Sequence, residues 1–167
     1  MLSTSTGYED INIFAPGGVR VGTTTLARNF NTFPAFIDAS QSGKIYAGDP
    51  MTIVSTSTNV LKVKKAAVGD VVFGFLRMNS VNQENGYEKG DAVEIAGQGA
   101  VMYMKASAAI NAGASVNSIT AASGVNTVET AGSGKSVIGI ALEKVASGDA
   151  VKVLIGAPVA LTANSGS

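Results

Sequence analysis

The 167-residue sequence contains no cysteine, no histidine and no tryptophan. Their absence excludes disulfide bonds, thiol nucleophiles, the usual zinc ligands and the acid-base side chain that enzymes use most often. Catalysis would have to rely on Ser, Lys, Asp, Glu or Tyr alone. We therefore expect a protein that is not an enzyme and that binds no cofactor and no metal.

Charge is also scarce in this chain. Charged residues make up 14% of the sequence and hydrophobic residues 46%, whereas about 25% of a typical soluble domain is charged. Twelve basic residues balance twelve acidic ones, so no net positive field exists to hold a nucleic acid backbone. We infer that nucleic acid is not a partner and that something else covers much of the surface.

Targeting and membrane signals are missing as well. The first residues, MLSTSTGYEDINIF, lack the basic and apolar regions of a signal peptide. No apolar run approaches the roughly 20 residues of a membrane span. We expect a soluble protein that is made in the cytoplasm and has no membrane partner.

The N-terminal segment, residues 1–42, differs in composition from the rest. Four of the six phenylalanines lie there among Gly, Asn, Thr and Pro, without the period of a helix or a strand. This pattern predicts an extended arm whose aromatic side chains anchor a partner, the alternative being that the rings complete the core of the domain itself. The candidate anchors are Phe14, Phe30, Phe33, Pro34 and Phe36.

Residues 43–157 are predicted to form one β-rich domain. Short β-branched runs alternate with Gly, Asn, Ser and Asp at intervals of about ten residues, which is typical of an antiparallel β-sandwich or barrel. The fold class is therefore all-β with little helix, and residues 158–167 are expected to be a flexible C-terminal tail. The predicted strands are Met51–Val54, Val60–Lys64, Val71–Leu76, Ala92–Ala96, Ala100–Met104, Ser115–Ile119, Val125–Val128, Val137–Leu142 and Ala150–Ile155.

Two of these strands should be the most buried. VVFGFL (Val71–Leu76) and VIGIAL (Val137–Leu142) are apolar on both faces apart from a central glycine. Each central glycine, Gly74 or Gly139, predicts a bulge or a place where another backbone passes close.

The β-rich domain contains an internal repeat, about residues 48–97 and 113–156. An ungapped shift of 65 sets Gly48 on Gly113 and Gly74 on Gly139, whereas the Gly-Asp steps near the ends of the two units need a shift of 58. The domain is therefore predicted to consist of two similar β-units. Asp after Gly tolerates turn geometry and bonds its own backbone, so we expect structural turns at Gly48-Asp49, Gly69-Asp70, Gly90-Asp91 and Gly148-Asp149.

Two glycine-rich stretches approach nucleotide-binding motifs without completing them. Gly132–Ser136 (GSGKS) ends like a phosphate-binding loop, but Glu129 stands where the motif requires glycine and a strand is predicted next. The second stretch, Gly97-Gln98-Gly99, begins like a dinucleotide fingerprint, but Met102 takes the place of the third glycine and no helix is predicted there. A hydrolase that uses Ser and Lys stays open as an alternative, because such residues need only be close in space.

The order of these motifs resembles one protein family. GDPM (48–51), VVFGFL, KGDAVEI, INAGASV and SVIGIALEKVASGDAVKVLI follow one another as in the capsid decoration, or head cement, proteins of tailed bacteriophages. The resemblance covers residues 43–156. Its most specific piece is IGIALEKVASGDAVKVLI, which is similar to the closing pattern of the family: an Ile-Gly strand, ALE, a Gly-Asp turn and a final strand.

The resemblance implies a structural virion protein on the outer surface of an icosahedral phage head. Such a protein would bridge subunits of the major capsid protein and stabilise the expanded shell. It would also bind itself as a homo-oligomer, with a trimer favoured over a dimer. A different function remains open, a virion surface module that recognises host glycans, although the absence of tryptophan disfavours it.

Overall fold

The computed structural model describes residues 31–54, 60–78, 85–119 and 126–163, and within these ranges it contains strands and no helix. Ten of its twelve strands form two closed five-stranded barrels that follow one another along the chain, so the predicted all-β fold is confirmed. The first barrel comprises β1 (Thr32–Ile37), β2 (Pro50–Ile53), β3 (Lys62–Lys65), β5 (Gly74–Leu76) and β6 (Ala92–Gly97). The second comprises β7 (Val101–Ala106), β8 (Ser115–Ile119), β9 (Thr127–Thr130), β10 (Gly139–Ala141) and β11 (Ala150–Ile155), while β4 (Val71–Val72) pairs with β12 (Val159–Ala160) outside the barrels.

The two barrels share one topology. In each of them four neighbouring pairs are antiparallel, but the first strand runs parallel to the third, β1 to β3 and β7 to β9. The prediction of a purely antiparallel sheet is corrected at this one pair. With five strands, an odd number, strand direction cannot alternate all the way round a closed barrel.

The strand positions bear out the repeat read from the sequence. A shift of 65 takes β3 (Lys62–Lys65) to β9 (Thr127–Thr130) and β5 to β10, and a shift of 58 takes β6 to β11. Even the isolated bridge of the first barrel, Ile45 with Tyr87, has its counterpart in Ile110 with Val145. The repeat is one strand longer than predicted, because β1 corresponds to β7 at a shift of 69.

Strand β1 lies in the segment that was expected to be an arm. Thr32–Ile37 pairs with β6 over five residue pairs and with β3 at Phe36 and Ile37. Proline lacks the N–H that a central strand position needs. Pro34 fits because its backbone nitrogen points away from β6 toward β3, and the β1–β3 register does not reach that far. The aromatic segment therefore completes the wall of the first barrel.

The two central glycines allow strands to approach closely, as predicted. A Cβ atom on Gly74 would lie 2.5 Å from the carbonyl oxygen of Ala96, and one on Gly139 would lie 2.8 Å from the side chain of Val153 and nearer still to the carbonyl oxygen of Leu154. Shifted by 58, Ala96 becomes Leu154, so the same contact excludes a side chain in both barrels.

The expectation that VVFGFL and VIGIAL are the most buried strands holds for β5, in which Gly74, Phe75 and Leu76 are all buried, and is wrong for VIGIAL. Val71 and Val137 are 51% and 45% exposed, and Ile140 and Leu142 lie on the surface as well. Only three residues of each run join a barrel, as β5 and β10, and the middle residue of each points outward from the barrel wall. In β5 this residue, Phe75, is buried, whereas in β10 it is the exposed Ile140. Apolar character on both faces therefore coincides with burial of both faces in β5 but not in β10.

The described part of the C-terminal segment is docked onto both barrels, which differs from the expected flexible tail. Val159 and Ala160 pair with Val72 and Val71 as a two-stranded sheet, and the neighbouring Leu161 is 3% exposed. On the second barrel, the Ser136 backbone N–H donates to Thr162 Oγ1 at 3.0 Å and the Ser136 hydroxyl donates to the Ala160 carbonyl. An apolar PVAL run (158–161) explains why this segment packs.

Candidate interaction surfaces

The predicted aromatic anchors divide into two groups. Phe14 and Phe30 lie outside the described residues. Phe33, Pro34 and Phe36 lie together on β1, where Phe33 and Phe36 are 45% and 44% exposed. The structure thus brings three of the five candidates onto one strand and leaves their side chains open to contact.

The side chains of β1 face different ways. Pro34 and Phe36 are on the outer wall of the barrel, where Phe36 lies beside Lys62 of β3. Phe33 is at the start of the strand, and its ring packs against the ring of Phe73 with centroids 6.2 Å apart. A side chain on Gly97 would collide with the Phe33 ring at 2.7 Å. Phe33 therefore closes one end of the barrel, and Phe36 is available on its side.

The four Gly-Asp steps form turns of one design. In each, the aspartate N–H donates to the carbonyl oxygen three residues earlier, at 3.0–3.3 Å, and the glycine has a φ angle of +88° to +91°, as the third position of a type II turn requires. In three of them the carboxylate accepts a second bond, from the backbone N–H of the same earlier residue. These bonds are Tyr46 to Asp49 at 2.9 Å, Ala67 to Asp70 at 3.0 Å and Glu88 to Asp91 at 2.8 Å.

Asp49 differs from the other turn aspartates because its side chain is fully buried. Burial raises the pKa of this carboxyl above its usual value, and the hydrogen bond from Tyr46 and the charge of Lys65 act in the opposite direction. The Lys65 ammonium lies 3.2 Å from Asp49 Oδ2. The Asn126 backbone, in the second barrel, also acts to lower this pKa, less than the other groups do, so this turn lies close to the second barrel.

The outer wall of the second barrel carries a second apolar surface, which the sequence analysis assigned to the core. Ile140 and Leu154 are paired across β10 and β11 and are 44% and 37% exposed, and Leu142 extends the row. Beside them the Lys152 ammonium lies 5.5 Å above the Tyr103 ring. Interaction with Tyr103, followed by the nearby Glu143 carboxylate, raises the pKa of Lys152. The Lys152 ammonium also lies 3.7 Å from Glu143 Oε2, so a polar ion pair borders an apolar centre, a composition typical of protein contacts.

The described ranges were also compared with the requirements of a metal site and of a membrane-spanning helix. Within them no group of three or more acidic side chains is arranged to hold a metal ion. No helix there is long and apolar enough to cross a membrane. The surfaces that the structure offers are apolar and aromatic.

Comparison with known proteins leaves the family open. No protein-family model matches the chain, and no curated protein matches it. Among solved structures, the chain is similar to the N base of the head fiber gp8.5 of bacteriophage phi29, with 18% sequence identity and a TM-score of 0.48. The match covers 75% of this chain and 92% of that one.

Proposed function

We propose that this chain is a structural protein of a tailed-phage virion that decorates the outer surface of the head. It binds subunits of the major capsid protein and stabilises the expanded shell by bridging them. The observation that carries the proposal is the exposed row of Pro34 and Phe36 on β1. The sequence resemblance to decoration proteins supports it, since IGIALEKVASGDAVKVLI forms β10, the Gly148-Asp149 turn and β11.

Phe36 is suited to anchor such a contact. Its ring is 44% exposed on the wall of a closed barrel, and its neighbours on β6 and β3 hold the backbone in place. A rigid aromatic side chain loses little conformational entropy on binding, and aromatic residues are frequent energetic centres of protein interfaces. The adjacent Lys62 provides a charged group at the edge of the contact.

Stabilisation of the shell follows from mass action. A protein that binds the expanded lattice and not its precursor lowers the free energy of the expanded state by the free energy of binding. Each bridge between two subunits makes the second contact intramolecular, which raises the total affinity above that of either contact alone. No chemical step is needed, so neutral charge and apolar surfaces are sufficient for this function.

The test is binding to capsids assembled from the major capsid protein that is encoded with this chain. We expect the wild-type chain to sediment with expanded, undecorated capsids and to appear as regular density on their outer surface by electron microscopy. Phe36→Ser should weaken binding by about 30-fold, the value for a typical interface hot spot. Val68→Ser, at a 60% exposed turn position, is the matched control and should bind like the wild type.

Two results would contradict the proposal. A wild-type chain that does not bind expanded capsids is not a decoration protein. Retention of that chain on a column of host polysaccharide would then favour the glycan-binding alternative. Equal binding by Phe36→Ser and the wild type would remove Phe36 from the contact. Phe33→Ser and a chain that lacks residues 1–30 should then be tested, because Phe33, Phe14 and Phe30 would be the remaining aromatic candidates.

A further inference from the structure

The two barrels meet in an apolar junction that buries residues on both sides. On one side, Phe75 and Ala96 of the first barrel and the neighbouring Val72 of β4 are at most 3% exposed and belong to the apolar cluster that fills the second barrel. Other residues of β5 and β6 belong to a separate core cluster, that of the first barrel. On the second barrel, Met102 and Ile138 are members of the same cluster and are at most 2% exposed. The outer wall of one barrel is thus covered by the next barrel.

The internal repeat identifies the counterpart of this covered wall on the second barrel. A shift of 65 takes Val72 to Val137 and Phe75 to Ile140, and a shift of 58 takes Ala96 to Leu154. Ile140 and Leu154 pair across β10 and β11 as Phe75 and Ala96 pair across β5 and β6. In contrast to their counterparts, Val137, Ile140 and Leu154 are 45%, 44% and 37% exposed. We call these three residues the free face.

The first barrel shows the reverse difference. Met102, Ser118 and Ile138 of the second barrel are at most 4% exposed. Their counterparts, at shifts of 69, 65 and 65, are Phe33, Ile53 and Phe73. Phe33 and Ile53 are 45% and 52% exposed, and Phe73 is half-buried. We call these three residues the free end.

We propose that the free face of one copy of this chain binds the free end of a second copy. The contact repeats between chains the junction that joins the two barrels within a chain. A barrel of the same fold already covers the Phe75 position, which is why a second copy is the occupant that the free face fits. The six residues of the two surfaces are uncharged, so their burial desolvates no ion.

The proposed contact is heterologous, because two different surfaces meet. A pair of copies therefore retains one unused free face and one unused free end, and further copies add until the rotation closes a ring or an array forms. This self-association does not depend on capsid binding. Self-association is measured on the purified chain alone, whereas the decoration function is measured by binding to capsids. A result that refutes one proposal therefore leaves the other unaffected.

The first experiment uses single substitutions and light scattering after gel filtration. Wild type should have a mass above that of one chain, 16.8 kDa, at high micromolar concentration. Ile140→Asp on the free face and Ile53→Asp on the free end should each raise the dissociation constant by about 30-fold. Val68→Asp, exposed but outside both surfaces, should associate like the wild type. Circular dichroism checks that each variant is folded, and Phe33→Ser replaces Ile53→Asp if that variant is not.

The decisive experiment mixes the two variants. Ile140→Asp retains a normal free end and Ile53→Asp retains a normal free face, so an equimolar mixture should form a dimer that neither variant forms alone. A mixture that stays monomeric would overturn the head-to-tail contact. A wild type that is monomeric throughout would overturn self-association and would favour residues 1–30 of the same copy as the cover of the free face.

Discussion

The two barrels have the same strands in the same order, yet equivalent residues have opposite environments. Phe75 is 1% exposed and its counterpart Ile140 is 44% exposed, while Phe33 is 45% exposed and its counterpart Met102 is fully buried. The difference arises because each barrel has one neighbour within the chain, and that neighbour lies on a different side of each. Position in the tandem, rather than the strand pattern, decides which apolar residues form core.

The largest expected effect is a difference in the free energy of unfolding between substitutions at Phe75 and at its counterpart Ile140. Phe75→Ala removes a buried ring from the junction and should lower the free energy of unfolding by about 3–5 kcal/mol. Ile140→Ala changes an exposed residue and should cost about 0.5 kcal/mol in the monomer. Urea unfolding followed by circular dichroism at low protein concentration measures both. Similar losses at the two positions would mean that the free face is buried in the monomer.

A smaller loss of stability is expected, and it should be similar for equivalent glycine substitutions in the two barrels. Gly74→Ala and Gly139→Ala each place a methyl group against a carbonyl oxygen of the neighbouring strand, and overpacking of this kind costs about 1–3 kcal/mol. Gly132→Ala is the matched control, since a Cβ there meets nothing within 4 Å. Thermal unfolding of the three variants tests the repeat, and a loss for only one of Gly74→Ala and Gly139→Ala would show that the two contacts are not equivalent.

The smallest expected effect concerns Asp49, whose counterpart in the second barrel is Ala114. Because burial raises the pKa of the folded Asp49 carboxyl above 3.8, the folded protein binds this proton more tightly than the unfolded chain does. The carboxyl therefore contributes most to stability below pH 3.8, and this contribution is lost as the pH rises through the raised pKa.

The pH dependence of a variant tests this sign. The stability of wild type relative to Asp49→Asn should decrease as the pH rises from about 4 to about 7, as measured by urea unfolding at several pH values. Asp91→Asn removes the charge from the equivalent turn carboxyl, which accepts a hydrogen bond from the Glu88 N–H, and controls for the loss of a titratable group in such a turn. An increase of relative stability with pH would mean that the attraction of Lys65 outweighs burial.

Much of the fold could be predicted from the sequence because its signals are local. The Gly-Asp turns and the β-branched runs between them define the strands, and Ser115–Ile119 and Ala150–Ile155 match their predicted bounds. Strand β1 was missed because TFPAFI contains proline and no alternation of polar and apolar residues. Its counterpart β7 was predicted as a strand but was left outside the repeat, since it matches only at a third shift, 69.

Surfaces could be predicted less well than strands. Phe75 and Ile140 look alike in sequence, because an apolar residue on a barrel wall suits a covered position and an uncovered one equally. Only the packing of one barrel on the other distinguishes them. The role of Leu161 was likewise hidden, since a single short apolar run after the last barrel strand gives no indication of what it packs against.

The docked C-terminal segment has a consequence for synthesis of the chain. All strands of the first barrel have been synthesised once the ribosome has passed Gly97, and domains generally fold as units during synthesis, the N-terminal one first. Its wall at Val72 and Phe75 has no cover until the second barrel has formed and Leu161 has joined the same apolar cluster. Until then we expect the nascent chain to expose this apolar surface, and the time needed to synthesise residues 98–161 would set how long it stays exposed to other nascent chains.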